Sequence, residues 1–377
     1  MRLKIRDFAI EMYMNAYETK CRYNLAETCV SSLTVNELLE LSGERDKNLD
    51  EMLSLRMTYG HIEGSPSFKE GICGLCETIK PENVTATHGA IGANALVFCA
   101  LVEPGDEVIS VLPTYQQLYS VPEALGAKVT TLPLNMENGF MPDAGLLAER
   151  MNERVKLVVI NNPNNPSGSV MDKAYLQRII DSVRPYGAYI LCDEAYRGLT
   201  HSGLNLTESV ADMYEKGIST SSMSKGFALA GLRIGWVAGP KNVIELVNKH
   251  RDYNTISCGV VDDYLAGLAL KHSAKVFERN LKIVRKNIEV LDGWIASDPN
   301  FSYVRPKGGT TAFIKLGFDM PSKEFCLKLL EDTGVMIVPG STMDTEGFVR
   351  MGYAFEKDLL ETGLGIISRF TREIVGS

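Results

Sequence analysis

The sequence predicts an α/β fold: a mostly parallel central sheet flanked by helices, with a smaller α+β region beside it. Three observations predict it. The runs Lys156–Ile160 and Ala188–Cys192 are apolar without a break, as in strands buried on both faces. Such runs alternate with helical stretches, the order of βαβ units. Past Gly239-Pro240 the alternation stops, and long helical patterns precede a group of closely spaced strands.

Taken in order, residues 1–20 suit an N-terminal helix and Asn36–Leu41 a second, short one. Gly60, Gly64 and Pro66 mark a loop, and Pro66 in a first turn predicts a helix to about Ile79. Val84–Thr87 reads as a strand, His88–Gly92 as a turn of small residues, and Ala93–Leu101 as an apolar helix. Pro104-Gly105 turns the chain into a strand over Glu107–Leu112. Ser120–Leu125 is helical, Lys128–Leu132 strand and Ala144–Met151 helical. Between the two apolar strands lie a dense turn, Asn161–Gly168, and a helix, Lys173–Val183. Gly217–Ser221 and Leu232–Ala238 complete the strands of this region. Helical patterns continue to Ala296. Strands are then expected at Phe301–Arg305, Thr311–Leu316, Val335–Val338 and Phe348–Tyr353, with a helix near Lys323–Glu331.

Composition narrows the function. A net charge of −8 argues against a surface for nucleic acid or anionic membrane. No run of about eighteen apolar residues predicts a membrane span, and Met1–Asp7 lacks a signal core. The expectation is a cytoplasmic protein. Eight cysteines are scattered rather than paired at scaffold spacing. Cys73-Gly74-Leu75-Cys76 has no second ligand pair at metal spacing, so it reads as two small side chains on one helix face, and no metal is expected.

In a parallel sheet, ligands sit outside the carboxyl ends of the strands. The turns after Thr87, Ile160, Cys192 and Ser221 should therefore converge. They carry suggestive residues. Lys225 stands among Ser221, Ser222 and Ser224, with Arg233 eight positions on between Gly231 and Gly235. Such a lysine can be an amine nucleophile if burial or nearby cations lower its pKa. Asp193 ends a buried strand and could hold a protonated heteroaromatic nitrogen, or merely cap a helix. Tyr196 follows three residues later. Asn165 taken alone is a turn former. Gly89, Ala90 and Ile91 open a helix whose amides suit a phosphate. Tyr115 is either a flat cover for a ring or a core residue.

Together these residues suit a phosphorylated pyridine aldehyde, and the motifs are specific. Asn161–Gly168 fits Asn-x-Pro-x-Asn-Pro-x-Gly, Asp193–Tyr196 is Asp-Glu-x-Tyr, and Ser222–Gly235 holds Ser-x-Ser-Lys with Gly-x-Arg-x-Gly. Over nearly its whole length the chain resembles the fold type I pyridoxal-phosphate (PLP) enzymes, and among them the class I/II aminotransferases. The resemblance implies a large PLP-binding domain over 46–280 and a small α+β domain from 1–45 and 281–377. It implies Lys225 as the Schiff-base lysine and proton carrier, and Asp193 as partner of the ring nitrogen. Tyr196 and Asn165 would meet the ring's phenolic oxygen, and Tyr115 would stack on the ring. Ser222, Arg233 and the Gly89–Ile91 turn would hold the phosphate. Arg350 would bind the substrate carboxylate, with Thr28 and Asn165 also beside the substrate. Tyr59 would cross to the phosphate of a second subunit, which implies a homodimer. The implied reaction moves an amino group from an L-amino acid to a 2-oxo acid.

The sequence departs from the family on the substrate side. Asn24–Leu33 lacks the Gly-Glu-Pro-like segment common there, and His88–Asn94 lacks an often-present acidic residue. Arg251–Thr255 and Asp262-Asp263 are unusually polar. Other PLP reactions therefore stay open as alternatives: β-elimination, cyclisation, decarboxylation or oxidation. A non-catalytic PLP-binding regulator is a further alternative, but the chain has no room before Tyr59 for a DNA-binding domain.

Overall fold

The computed structural model describes residues 5–203 and 206–375. In chain order its strands are β1 (Tyr23–Asn24), β2 (Val84–Thr87), β3 (Glu107–Leu112), β4 (Lys128–Pro133), β5 (Val155–Asn161), β6 (Tyr189–Asp193) and β7 (Gly217–Ser222). They continue as β8 (Gly235–Ala238), β9 (Phe301–Tyr303), β10 (Thr311–Leu316), β11 (Val335–Met336), β12 (Val338–Pro339) and β13 (Phe348–Gly352).

Seven strands form the main sheet in the order β2-β8-β7-β6-β5-β3-β4. From β7 to β4 every pairing is parallel, and β8 alone runs against its neighbours. Side chains alternate between the two faces, as the strand period requires. Leu157 and Val159 join Val97, Phe98 and Val247 of the helices Gly89–Leu101 and Lys241–Arg251. Val158 and Ile160 join Leu176, Ile179 and Ile180 of the helix Lys173–Val183 on the opposite face. Both faces are covered, which is why these strands read as unbroken apolar runs.

The smaller sheet has the order β12-β13-β10-β9 and is antiparallel. The N-terminal segment joins this end of the chain. β1 pairs in parallel with β11, and the Gly352 amide donates to the Leu25 carbonyl at 2.8 Å. No helix among the described residues is long and apolar enough to cross a membrane.

Two expectations need correction, and one helix is unforeseen. The helix from Pro66 stops at Cys73, at a glycine of low helix propensity. The amides of Glu77 and Thr78 go to the Asp212 carboxylate instead of a further turn. Cys76 therefore lies outside the helix, and its sulfur meets Arg197 Nη1 at 3.8 Å. The strand expected from Leu232 begins only at Gly235, because Ala230–Leu232 is a 3-10 turn and Arg233 has φ 49°. The helix Arg45–Leu53 is not expected from the sequence, since its polar residues carry almost no apolar stripe.

Candidate active site

The expected convergence is present. Asn161 and Asp193 are register partners at the carboxyl ends of β5 and β6, and Thr220 lies beside Asp193. Thr87, Gly235 and Ser222 form a row across β2, β8 and β7. Because β8 is reversed, its amino end lies at this edge, and Arg233 with it. A cleft of about 440 Å³ opens here. Its lining includes Thr28, Ala90, Ile91, Tyr115, Asn165, Asp193, Tyr196, Ser222, Lys225, Arg233 and Arg350.

Asp193 is buried and has no cationic partner within ion-pair distance among the described residues. Burial pushes its carboxyl above the ordinary value, and donors from Asn94 and the Ala195 amide pull it back. Asn94 Nδ2 donates to Oδ2 at 2.8 Å and the Ala195 amide to Oδ1 at 3.0 Å. Asn94 is oriented in turn by the Thr220 hydroxyl, which donates to its carbonyl oxygen at 2.6 Å. A buried carboxylate held by neutral donors can still take a cation.

At the other end of the cleft, Gly89 adopts φ 67°, and the helix it begins presents its first amides. A Cβ on Gly89 would stand 3.2 Å from Arg233 Nη2. A Cβ on Gly235 would lie 2.5 Å from the Ser221 carbonyl oxygen and 2.6 Å from the Gly89 carbonyl carbon. Both glycines thus let the helix start, the Ser221–Ser224 turn and Arg233 approach one another. Free amides, hydroxyls and a guanidinium make an anion cradle.

Lys225 lies between these ends. Its Nζ donates to Thr28 Oγ1 at 2.6 Å and to Cys29 Sγ at 3.1 Å. Burial alone would lower its pKa, but Tyr196, Cys29 and Glu27 outweigh burial and raise it above the ordinary lysine value. The expectation of a lowered pKa is corrected: the neighbours that decide it are acidic, not cationic. Glu27 shows the reverse balance. Burial would raise it, yet Lys225 and the amides of Cys29 and Thr28 hold it below the usual carboxylate range. Those amides reach Glu27 Oε1 at 2.7 and 2.6 Å.

Arg350, on β13, is 4% exposed. Nη2 donates to the Ala26 carbonyl at 3.0 Å, and Nε has no partner. Asn165 is 6% exposed, and its Oδ1 is also without a partner. Tyr115 packs against Phe8 with ring centres 5.0 Å apart, and its hydroxyl donates to Glu11 at 2.8 Å. Tyr115 thus packs against the core and also lines the cleft.

Tyr59 is the exception. It is 69% exposed and lies outside the cleft of its own chain. Sequence reasoning missed Asn94, Gln117, Glu27 and Cys29. Gln117 Nε2 holds the Ile91 carbonyl at 2.6 Å and so helps fix the cradle. An asparagine inside the apolar run Ala93–Leu101 is the available signal for Asn94. The others carry no local signal.

A sheet edge with a buried lone carboxylate, a reachable amine and an anion cradle defines a cofactor-dependent enzyme. The chain belongs to the aminotransferase class I and II family, whose profile matches residues 30–367, and so to the PLP-dependent enzymes of fold type I. Capreomycidine synthase from Streptomyces vinaceus is 35% identical over 97% of this chain and 92% of its own. An aspartate aminotransferase from Pyrococcus horikoshii is 31% identical over 82% of each. A PLP-dependent aminotransferase structure from Streptococcus suis 89-1591 superposes with a TM-score of 0.95 at 43% identity, covering 98% of both chains. The residues fit the cofactor: Asp193 lacks a cation, Asn165 Oδ1 lacks a donor, and the cradle offers the amides, hydroxyls and guanidinium that a phosphate needs.

Proposed function

We propose that the protein transfers an amino group from an L-amino acid to a 2-oxo acid, with Lys225 as its reacting amine. The observation that carries this reading is the cleft that unites Lys225, Asp193 and the unpartnered Arg350 Nε. When bound, PLP supplies a carbonyl that takes up amines and a ring that accepts charge from Cα.

The chain's own residues do the rest. Asp193 would face the ring nitrogen and favour its protonated form, as a buried anion does for a neighbouring cation. Tyr196 and Asn165 would contact the ring oxygen. Ser222, Arg233 and the amides of Gly89, Ala90 and Ile91 would hold the phosphate, and Tyr115 would cover the ring. Lys225 Nζ would anchor the cofactor and, once released, accept and carry the proton from Cα. Thr28 and Cys29 steer that nitrogen. Arg350 takes the α-carboxylate and thereby fixes which groups on Cα face the ring.

A homodimer with Tyr59 entering the second subunit's site is part of the same proposal. Leu53, Met57, Tyr59 and Ile62 are all exposed within one short segment, which supports an interface there. A second reading, another PLP reaction such as ring closure, has one observation in its favour: the relative matching 97% of the chain is named a synthase. Incubation with amino acids, with and without 2-oxoglutarate or pyruvate, decides between them. Multiple-turnover keto-acid product that depends on the oxo acid supports transfer; product well beyond one equivalent of enzyme without it overturns transfer in favour of the second reading.

A further inference from the structure

Charges lining the cleft do not cancel once the proposed ligands are accounted for. Arg233 meets a phosphate, Asp193 a ring nitrogen and Arg350 a carboxylate, while Lys225 gives way to the substrate amine. Glu11, Glu18 and Glu27 remain, all lining the same cleft. None has a cationic partner within ion-pair distance among the described residues. Glu11 and Glu18 are two turns apart on one helix face, with Met14 and Asn15 between them on the cleft lining. On the side away from the cleft that helix buries Tyr13 in the core, and Ile10 is buried beside Glu11 at the cleft wall, so the acidic face is fixed toward the cleft.

Glu27 is held more tightly still. The segment carrying it lies against β13, where a Cβ on Gly352 would stand 1.7 Å from the Glu27 carbonyl oxygen. Thr310 Oγ1 donates to the next carbonyl, that of Thr28, at 2.6 Å. Only Oε1 of Glu27 is used by backbone amides. Glu11 already accepts from the Tyr115 hydroxyl. Independently of the carboxylates, Arg350 Nε is buried, lines the cleft and lacks a partner, which points to an amino-acid carboxylate bound beside them.

We propose that the amino acid taken by this enzyme carries a cationic side chain, an ammonium or a guanidinium, which the Glu11–Glu27 wall receives. The inference rests on the proposed function and names its substrate class. An ion pair in a confined cleft is worth more than one in water, and a fixed carboxylate gives direction as well as charge.

The test uses PLP-loaded enzyme and a panel of L-arginine, L-lysine, L-ornithine, L-leucine, L-methionine and L-aspartate. The cofactor's absorbance change and kcat/KM are read for each. Cationic substrates are expected to exceed the neutral ones about tenfold or more, with aspartate poorest. Glu27→Gln should reduce the ratio of cationic to neutral kcat/KM about tenfold. Glu18→Gln, at the exposed rim, should raise KM for the cationic substrates with little change in kcat, and it guards against a folding defect in the first variant. A preference for neutral or acidic substrates overturns the inference, as does an equal loss for every substrate in Glu27→Gln. If no amino acid perturbs the holoenzyme, the proposed function falls and this inference with it.

Discussion

Asn94 donates to Asp193 across 2.8 Å from the middle of an otherwise apolar helix. It is the side chain that orients the buried carboxylate proposed to meet the cofactor ring. Asn94→Leu keeps the volume and removes the donor. A hydrogen bond to a charged group contributes about 1.5–3 kcal/mol, so PLP affinity should fall roughly tenfold to a hundredfold. Titration of the cofactor-free protein with PLP measures this, and unchanged affinity would dismiss the role given to Asn94.

The pKa of Lys225 is raised, so little neutral amine exists near pH 7. Capture of PLP by cofactor-free protein should therefore accelerate about tenfold per pH unit from roughly pH 7 to 9. Tyr196 and Cys29 are themselves raised and neutral at pH 7, which leaves Glu27 as the anion acting there. Glu27→Gln should speed capture at pH 7, and a slower rate would contradict the assignment. The sign for stability is separate. A lysine raised on folding stabilises the native state at every pH below the unfolded value of about 10.4, and that contribution is lost as pH rises through the folded value.

Arg350→Gln removes the proposed carboxylate clamp without touching the cradle. KM for the amino acid should rise about a hundredfold, as expected for two charge-assisted hydrogen bonds. Affinity for PLP should stay within about twofold. Parallel loss of both would place Arg350 in the support of the fold instead.

Gly235→Ala forces a methyl group onto two backbone atoms that cannot swing aside. The expected cost is about 2–4 kcal/mol of stability, comparable to severe overpacking. Thermal melting of the cofactor-free protein should show it, and a melting point within a degree or so of wild type would refute the close approach described at this strand end.

Much of this site is legible in the amino-acid sequence. The strands Val84–Thr87 and Glu107–Leu112 and the helix Lys173–Val183 fall where the sequence places them. Their apolar patterns are local, and burial on both faces leaves little ambiguity. The convergence of Asn165, Asp193, Ser222 and Lys225 follows from the rule for parallel sheets. What the sequence hides depends on contacts between distant segments. Lys225 meets Thr28 across 197 positions of sequence and Cys29 across 196. Nothing near Lys225 announces either neighbour, so its local sequence points to the wrong sign of the pKa shift. Glu11 and Glu18 read only as polar residues of a terminal helix until packing fixes which way that face turns.

The hydrogen bond from Arg350 to the Ala26 carbonyl spans 324 positions, and β1 finds its partner in β11. This separation orders events during synthesis. The acidic helix and the Glu27 segment leave the ribosome first, yet the strands that seat them are translated last. The central sheet has all its strands by Ala238. A growing chain can therefore complete the sheet that carries the proposed cofactor contacts well before Arg350 is made. The proposed carboxylate clamp is among the last parts of this site to be translated.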